Sequence, residues 1–327
     1  MTENDTPKKI AIIGECMIEL NGKPFGNMLQ TFGGDSLNSA VYLARAAKQQ
    51  VQINYVTAMG SDALSEGMIQ RWQEEGINTQ FVLTDNTRQP GLYLIQLDDQ
   101  GERTFLYWRN QSAARYMLQH RDFELLTTKL EKMDMVYLSG ISLAILPEKD
   151  RKTLLTLLRK LSEKGVEIAF DSNFRPALWP QNEDWKTVKD HYAELLSFCD
   201  LALVTFDDEQ AIWQDISPEA ALDRLEHAGV KKAVIKLGAE GCLYKNLQKK
   251  ESDALFITTT PIEEVVDTTS AGDSFNAGYL SGHLTGLEPE RCCVRGHQLA
   301  SAVIQSQGAI VPLSATQSIT NQFKLTD

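Results

Sequence analysis

The feature that most constrains this chain is a regular alternation of short apolar runs with longer amphipathic segments. Runs typical of buried strands occupy residues 8–14, 51–60, 133–140, 166–171, 201–206 and 232–238. Segments with helical periodicity lie at residues 36–48, 64–76 and 149–165, and two helices rich in small residues are predicted near the C-terminus. A strand that returns through a helix to the next strand gives parallel pairs with helices on both sheet faces. The sequence therefore predicts one α/β domain over residues 1–327, with three layers around a central, mostly parallel sheet.

Two stretches interrupt this alternation, residues 14–32 and 91–109, and both have the pattern of strands joined by turns. In the second stretch the letters DDQG, at residues 98–101, predict a hairpin between two alternating runs. We therefore expect residues 14–32 and 91–116 to form a small β-sheet that is inserted into the domain as a lid.

The predicted lid is apolar on both faces. Leu92, Leu94, Leu106 and Trp108 share one of them by strand alternation. An apolar face of this kind is normally covered, so we expect a homodimer formed through the lids, with larger assemblies left open.

Charge and composition limit the partners of the chain. A formal net charge of −12, with a pI near 5.0, argues against nucleic acids and anionic membranes, which attract basic surfaces. The start of the sequence, MTENDTPKK, is polar, and no apolar run approaches a membrane span, which predicts a cytoplasmic protein. The five cysteines include no CxxC pair and the histidines show no metal-binding spacing, as is typical of reduced thiols and no zinc site.

Several common phosphate and catalytic motifs are absent. The chain has no GxxxxGK[ST] loop, and no GxGxxG follows the first predicted strand, which argues against a dinucleotide-binding dehydrogenase. A phosphate site, if present, must therefore be built in another way.

One loop offers such a site, the stretch DTTSAGD at residues 267–273. Small side chains before a helix leave its first N–H groups open, and these donors bind phosphate oxygens. Gly272 permits close approach, while Asp273 would repel an anion unless it accepts a proton from an attacking hydroxyl. An ordinary helix-capping aspartate is the alternative, and the loop alone does not decide between them.

Two longer motifs do favour one family. DTTSAGDSFNAG and GGDSLNSAVYLARA, at residues 33–46, resemble the C-terminal and N-terminal signatures of ribokinase-like (PfkB-type) sugar kinases, and the resemblance covers nearly the whole chain. The stretches IGECMIEL, FLYWRN and DSNFRPALW look most like bacterial members that phosphorylate 2-keto-3-deoxygluconate. The resemblance implies a ribokinase-like fold, ATP and Mg²⁺ as cofactors, and transfer of phosphate to the C6 hydroxyl of 2-dehydro-3-deoxy-D-gluconate.

The resemblance also implies roles for individual residues. Asp273 matches the catalytic base, with the amides of Ala271 and Gly272 as the anion hole. Residues that match the sugar-acid side are Gly34, Asp35, Asn38, Tyr93, Tyr107, Arg109, Arg175 and Asp273. Residues that match the ATP side are Lys236, Gly238, Gly241, Ser270, Gly272, Val303 and Gly308. The family's metal-linked NxxE motif is not met literally, and Asp207, Asp208 and Glu209 all remain candidates for orienting Mg²⁺.

Two arginines, taken as a pair, favour an acidic substrate, although the ordinary alternatives for each alone are a solvated arginine at the lid edge for Arg109 and a surface salt bridge for Arg175. Strand alternation puts Phe105, Tyr107 and Arg109 on one face, where an arginine fork beside a hydroxyl suits a carboxylate. Arg175 follows a strand at the sheet edge where ligands bind in open α/β folds, and Pro176 fixes its backbone. A kinase for a neutral sugar such as fructose or ribose, or for 2-ketogluconate, remains the alternative. A non-catalytic sugar sensor on the same fold is a third reading.

Overall fold

The computed structural model describes residues 6–97, 103–249 and 253–323. The predicted hairpin at residues 98–101 and the first five residues of the chain lie outside this part. The strands are β1 (Lys8–Ile13), β2 (Met17–Gly22), β3 (Met28–Gly33), β4 (Val51–Met59), β5 (Val82–Thr84), β6 (Leu92–Leu97), β7 (Arg103–Trp108), β8 (Met135–Ser139), β9 (Glu167–Asp171), β10 (Leu201–Thr205), β11 (Lys232–Lys236), β12 (Cys242–Asn246) and β13 (Leu255–Ile257).

The α-helices alternate with the strands of the domain. They are α1 (Asp35–Ala47), α2 (Ala63–Glu74), α3 (Phe123–Leu130), α4 (Gly140–Ala144), α5 (Glu148–Glu163), α6 (Lys186–Leu196), α7 (Phe206–Trp213), α8 (Pro218–Ala228), α9 (Ala271–Leu284), α10 (Pro289–Val303) and α11 (Leu313–Gln322). Short 3-10 turns connect several of them. No helix in the described ranges is both long enough and apolar enough to cross a bilayer.

The larger sheet carries the three-layer arrangement. Among the described residues it has nine strands in the order β13-β12-β11-β10-β9-β8-β1-β4-β5, and the pairs from β11 to β5 are parallel. Side chains alternate across β1: Ala11 and Ile13 join the core that packs against α3 to α8, while Ile10 and Ile12 join the core against α1, α2, α9 and α10. The prediction of a mostly parallel sheet between two helical layers is confirmed.

One edge of this sheet differs from the expectation. The strands β12 and β13 pair antiparallel beyond β11 and were not predicted. The apolar pair Val265 and Val266, directly before the loop at residues 267–273, does not belong to a strand. Both residues are exposed, and the N–H of Val266 donates to the carbonyl of Ile304 at 2.9 Å instead of to a sheet neighbour.

The smaller sheet has the order β3-β2-β6-β7 and is formed by the two interrupting stretches. Its strand β7 ends at Trp108, and a 3-10 turn at Ala114–Gln119 follows, so residues 109–116 leave the sheet. Across β6 and β7, Leu92 pairs with Trp108. The expected face is therefore formed, and Trp108 on it is 58% exposed.

Candidate functional site

The candidate site lies where four parallel strands end. Ser139, Asp171, Thr205 and Lys236 are the last residues of β8, β9, β10 and β11. The N-termini of α1 and α9 meet at this edge, because Asn38 of α1 donates from Nδ2 to Oδ2 of Asp273 in α9 at 2.9 Å. Parallel strands commonly bind ligands at their carboxyl ends, and two helix N-termini add partial positive charge there.

The carboxylate of Asp273 is held at the start of α9. Besides Asn38, the Ser270 hydroxyl donates to Oδ2 at 3.1 Å, and Ser270 itself adopts a left-handed backbone with φ of 67°. Oδ1 of Asp273 has no hydrogen-bond partner among the described residues. An acceptor oxygen therefore stays available, and Asp273 does not cap its own helix.

The environment also changes how Asp273 titrates. Burial, and then the charge of Asp35, raise the pKa of Asp273 to about 7 against the opposing effect of the hydrogen bonds from Asn38 and Ser270. A carboxylate tuned toward neutral pH is a better proton acceptor than one with an ordinary pKa, because acceptor strength follows basicity.

The backbone donors at this helix start differ slightly from the expectation. The N–H of Ala271 donates to the carbonyl of Thr268 at 3.2 Å, so this amide is already engaged. The N–H groups of Gly272 and Asp273 have no acceptor in the part of the chain that the structure describes. The open pair for an anion is therefore formed by Gly272 and Asp273, and not by Ala271 and Gly272.

Beneath these donors lies a buried polar network. Nζ of Lys236 donates to Oδ2 of Asp171 at 2.9 Å and to Oδ1 of Asn276 at 3.1 Å. Nδ2 of Asn276 in turn donates to Asp171 at 2.6 Å. The ammonium group also lies 3.6 Å from the position that a Cβ would take on Gly272. The lysine therefore neutralises a buried carboxylate and stands directly under the open amides.

An elongated cavity of about 380 Å³ opens beside this helix start. The predicted residues Lys236, Gly238, Gly241 and Gly272 line it. Its other walls are largely apolar or small, including Pro261, Ile262, Phe275 and Ala300. Gly241 has φ of 125°, and a Cβ there would lie 2.2 Å from the carbonyl of Ile257, so this turn requires glycine.

Three predicted residues of the nucleotide side do not line this cavity. Val303 is fully buried in the core, since it lies on the inward face of α10, and Ile304 lines the cavity instead. The N–H of Gly308 donates to Asp267 at 2.8 Å, and Ser270 contacts Asp273.

His297 was missed by the sequence analysis. It lines the cavity, is 9% exposed, and its Nε2 has no hydrogen-bond partner. Burial lowers the pKa of His297, so the ring is neutral near pH 7. Its position on the inward face of a predicted helix was the only sequence signal, and that signal also fits an ordinary core histidine.

The three acidic residues that were candidates for orienting Mg²⁺ differ in their exposure and contacts. Asp207 is exposed, and Glu209 is buried in an ion pair with Arg224 at 2.5 Å. Asp208 accepts from the N–H of Phe174 at 3.1 Å, and burial together with the charge of Asp171 raises the pKa of Asp208 to about 6. Asp208 is therefore the acid of this group that faces the site.

On the opposite side, α1 begins at a close contact. A Cβ on Gly34 would lie 2.2 Å from the carbonyl of Glu15, so glycine is required. Burial raises the pKa of Asp35, and the positive charges of Arg109 and Arg175 lower it, which places both arginines within electrostatic reach of this carboxylate. The structure thus gathers Gly34, Asp35, both arginines and Asn38 on one side of Asp273.

Tyr93 and Tyr107 of the lid lie next to each other but differ in the hydrogen bonding of their hydroxyl groups. The hydroxyl of Tyr93 donates to Glu19, so this group is already paired. Tyr107 is 51% exposed, and its ring lies 6.0 Å from the ring of Tyr93. Of the two predicted contacts, only Tyr107 presents an unpaired hydroxyl.

The two arginines also differ. Arg109 is buried, and its Nε and Nη2 donate to the carboxylate of Glu15, with Nε at 2.8 Å. Arg175 is exposed, contacts only the carbonyl of Phe174 through Nη1 at 2.8 Å, and forms no ion pair among the described residues. Both predicted arginines are thus described. The guanidinium of Arg109 is held by Glu15, and that of Arg175 is exposed.

Known proteins match this chain over most of its length. The pfkB family carbohydrate kinase model matches residues 7–316. A 2-dehydro-3-deoxygluconokinase of Haemophilus influenzae is 52% identical over 97% of this chain and 99% of its own. One of Dickeya dadantii is 45% identical over 95% and 99%.

The fold is matched as well. A putative ribokinase II of E. coli, solved with ATP and Mg²⁺, superposes with a TM-score of 0.80 at 19% identity and covers 98% of this chain and 100% of its own. Since both the family model and close relatives span nearly all of its length, this chain belongs to the pfkB family of carbohydrate kinases.

Proposed function

We propose that this protein transfers the γ-phosphoryl group of ATP to the C6 hydroxyl of 2-dehydro-3-deoxy-D-gluconate. The observation that carries the proposal is the 52% identity, over nearly full length, to a relative of that name. The arrangement of the site supports it, because an acceptor carboxylate and open amides stand between a nucleotide-sized cavity and two arginines.

In this proposal the residues of the chain have distinct tasks. Asp273 accepts the proton of the attacking hydroxyl through its unpaired Oδ1, while Asn38 and Ser270 hold the other oxygen. The amides of Gly272 and Asp273 stabilise the negative charge that develops on the transferred group. Lys236 lies 3.6 Å from the position that a Cβ would take on Gly272, and its charge is balanced by Asp171.

The cavity beside α9 fits a nucleotide. Its apolar walls suit a purine ring, and the unpaired Nε2 of His297 offers one polar contact to it. The glycines at positions 238 and 241 leave room for the ribose and the phosphates of ATP.

Asp208 and Asp171 fit a Mg²⁺ ion. Burial, and then the charge of Asp171, raise the pKa of Asp208, and a cation bound between the two carboxylates would offset both effects. The structure shows no cluster of three or more metal-ligating side chains within its described ranges. This fits magnesium, which uses one or two carboxylates together with phosphate oxygens and water.

The acid end of the substrate faces the arginines. We propose that its carboxylate and neighbouring oxygen contact Arg109, Arg175 and the free hydroxyl of Tyr107. A neutral sugar would leave the unpaired charge of Arg175 without a partner. The site therefore favours a sugar acid over fructose or ribose.

An ADP-release assay tests the proposal. With keto-deoxy acids, gluconate, fructose and ribose as substrates, we expect 2-dehydro-3-deoxygluconate to give the highest kcat/KM by at least about tenfold. Equal or better turnover of a neutral sugar would favour the alternative kinase. Absence of turnover with every compound, with ligand binding retained, would favour a sensor.

We also propose that two copies associate through their lids. Phe105, Leu106, Tyr107 and Trp108 of the edge strand β7 are each between 38% and 58% exposed, on both faces of the sheet. We expect light scattering to show a dimer at micromolar concentration and Trp108→Glu to weaken it. Ile216→Glu, at a 90% exposed residue of the domain body, is the matched control and should leave the mass unchanged. A monomeric parent protein would contradict the proposal.

A further inference from the structure

The residue Glu15 joins three separate parts of the site. It follows β1, is 2% exposed, and its Oε2 accepts from Nε and Nη2 of Arg109 at the end of lid strand β7. The other oxygen, Oε1, accepts from the hydroxyl of Ser112. Both carboxylate oxygens therefore accept hydrogen bonds from donors within the protein.

The main chain of Glu15 makes the third connection. Its carbonyl lies 2.2 Å from the position of a Cβ on Gly34 and accepts from the hydroxyl of Ser36 at 3.5 Å. The loop that begins α1 is thus packed on the same residue that fixes Arg109. Glu15 therefore sets the distance between the sugar-side loop and the end of the lid.

A second close contact keeps this geometry tight. A Cβ on Gly91, directly before lid strand β6, would lie 3.0 Å from Oε1 of Glu15 and 3.1 Å from Cβ of Arg109. The segment that enters β6 and the segment that leaves β7 thus both lie against the ion pair. A change in the carboxylate would be transmitted to both.

The charge arrangement suggests why a buried acid stands here. Buried ion pairs add little net stability against apolar substitutes, but they can fix one geometry. Glu15 occupies the Nε and Nη2 side of the guanidinium, and Nη1 has no hydrogen-bond partner within the described ranges. The planar fork can then present only its remaining edge.

We propose that Glu15 is a positioning residue for the substrate's carboxylate, which acts by holding Arg109 so that its Nη1 edge faces the sugar acid. The inference rests on the proposed function, since it assumes a carboxylate ligand. Because the Glu15–Arg109 ion pair has no net charge, Arg109 mainly orients the carboxylate of the substrate. The exposed Arg175, which forms no ion pair among the described residues, supplies the electrostatic attraction for that carboxylate.

Steady-state kinetics of Glu15→Gln test the inference. Gln keeps the size of the side chain but removes the charge that orients the fork. We expect KM for the sugar acid to rise about 10- to 100-fold, as misplacement of a binding group by about 1 Å can cause. KM for ATP should change by less than about twofold, because the nucleotide cavity shares no residue with this pair.

A double-variant cycle separates positioning from general damage. In an Arg109→Gln background, adding Glu15→Gln should change KM by less than about twofold, since there is no longer a guanidinium to hold. Equal losses in both backgrounds would overturn the proposal, and so would an unchanged KM in Glu15→Gln alone. If Glu15→Gln does not fold, Glu15→Asp takes its place. The shorter side chain keeps the charge but moves the carboxylate away from Arg109, so the proposal requires the same rise in KM for the sugar acid in Glu15→Asp.

A matched ion pair provides the control. Arg45 donates from Nε to Glu75 at 2.8 Å, in a pair on α1 and the end of α2 that does not face the site. Glu75→Gln should lower thermal stability comparably and leave both KM values unchanged.

If the parent enzyme does not phosphorylate keto-deoxy acids, the proposed function fails by itself. The cycle is then run with the sugar that is phosphorylated, and coupling between positions 15 and 109 still decides the role of Glu15.

Discussion

The proposed nucleotide side and the proposed sugar side of the site are built in different ways. The nucleotide side consists of backbone turns, small residues and apolar walls, and its one lysine is neutralised by Asp171. The sugar side consists of charged side chains that come from three parts of the chain, with Arg109 paired to Glu15 and Arg175 unpaired. The first is a shape formed by the main chain, and the second is an arrangement of long side chains.

The difference indicates how each half tolerates change. A turn such as Gly241, with φ of 125°, fails when any side chain is added, whichever nucleotide is bound. A guanidinium on the sugar side can be replaced without loss of the fold when it is exposed, and only the substrate preference then changes. Variants on the two sides should therefore separate into effects on ATP and effects on the sugar acid, with Asp273 between them.

The largest expected effect comes from Asp273, which belongs to neither side. Asp273→Asn keeps the bonds to Asn38 and Ser270 possible but cannot accept a proton, so kcat should fall about 10²–10⁴-fold. Both KM values and the circular dichroism spectrum should remain near those of the parent. Near-normal turnover would show that Asp273 is a helix-start residue without a catalytic role.

The two sides also differ in how well their contacts can be predicted from the sequence. The helix start at Asp273 and the turn at Gly241 are local, so a short motif contains all the information needed to place them. The contacts of Lys236 with Asp171 and of Arg109 with Glu15 join residues 65 and 94 positions apart. A single sequence gives the type of each side chain but not its partner, since the pairing depends on how strands and lid assemble.

The same limit explains the particular errors. Strand alternation predicted Tyr107 and Arg109 on one face, but β7 ends at Trp108, and the pattern could not show that Arg109 is buried and Tyr107 exposed. The family resemblance implied an open amide at Ala271. Its bond to Thr268 depends on a tight turn that composition does not define.

The second prediction separates the two arginines. Arg175→Ala removes an exposed, unpaired charge, so KM for the sugar acid should rise about 10- to 100-fold, as expected for a charge-assisted hydrogen bond worth about 1.5–3 kcal/mol. Thermal stability should be unaffected. Arg109→Ala should weaken binding comparably but also lower the free energy of unfolding by about 3–5 kcal/mol, because Glu15 is left buried and unpaired.

Kinetics with thermal melts distinguish these outcomes. Equal stability of the two variants would show that the Glu15 pair is not buried in solution. An unchanged KM in Arg175→Ala would remove the argument for a sugar acid and favour a neutral sugar. Arg175→Lys should recover part of the affinity, since it keeps the charge but not the planar fork.

The third prediction concerns pH. Burial first, and then the charge of Asp35, raises the pKa of Asp273 to about 7. Since the ionised form is the proton acceptor, kcat/KM should fall as pH drops below about 7, by about tenfold for each unit once the group is mostly protonated. Asp35→Asn removes one cause of the rise and should move this acid limb to lower pH, whatever it does to the maximum rate. An acid limb that stays in place would show that another group controls the profile.

The smallest expected effect lies on the nucleotide side, at His297. Its Nε2 is buried without a partner in the wall of the cavity. If this nitrogen bonds the purine, His297→Ala should raise KM for ATP by about 2- to 10-fold, the worth of one ordinary hydrogen bond, and leave KM for the sugar acid unchanged. His191 is the matched control, because its Nε2 is also buried without a partner but it lies on α6, away from this cavity. An equal change in KM for ATP in His191→Ala would mean that the loss reflects general loosening, and the nucleotide side would then depend on backbone shape alone.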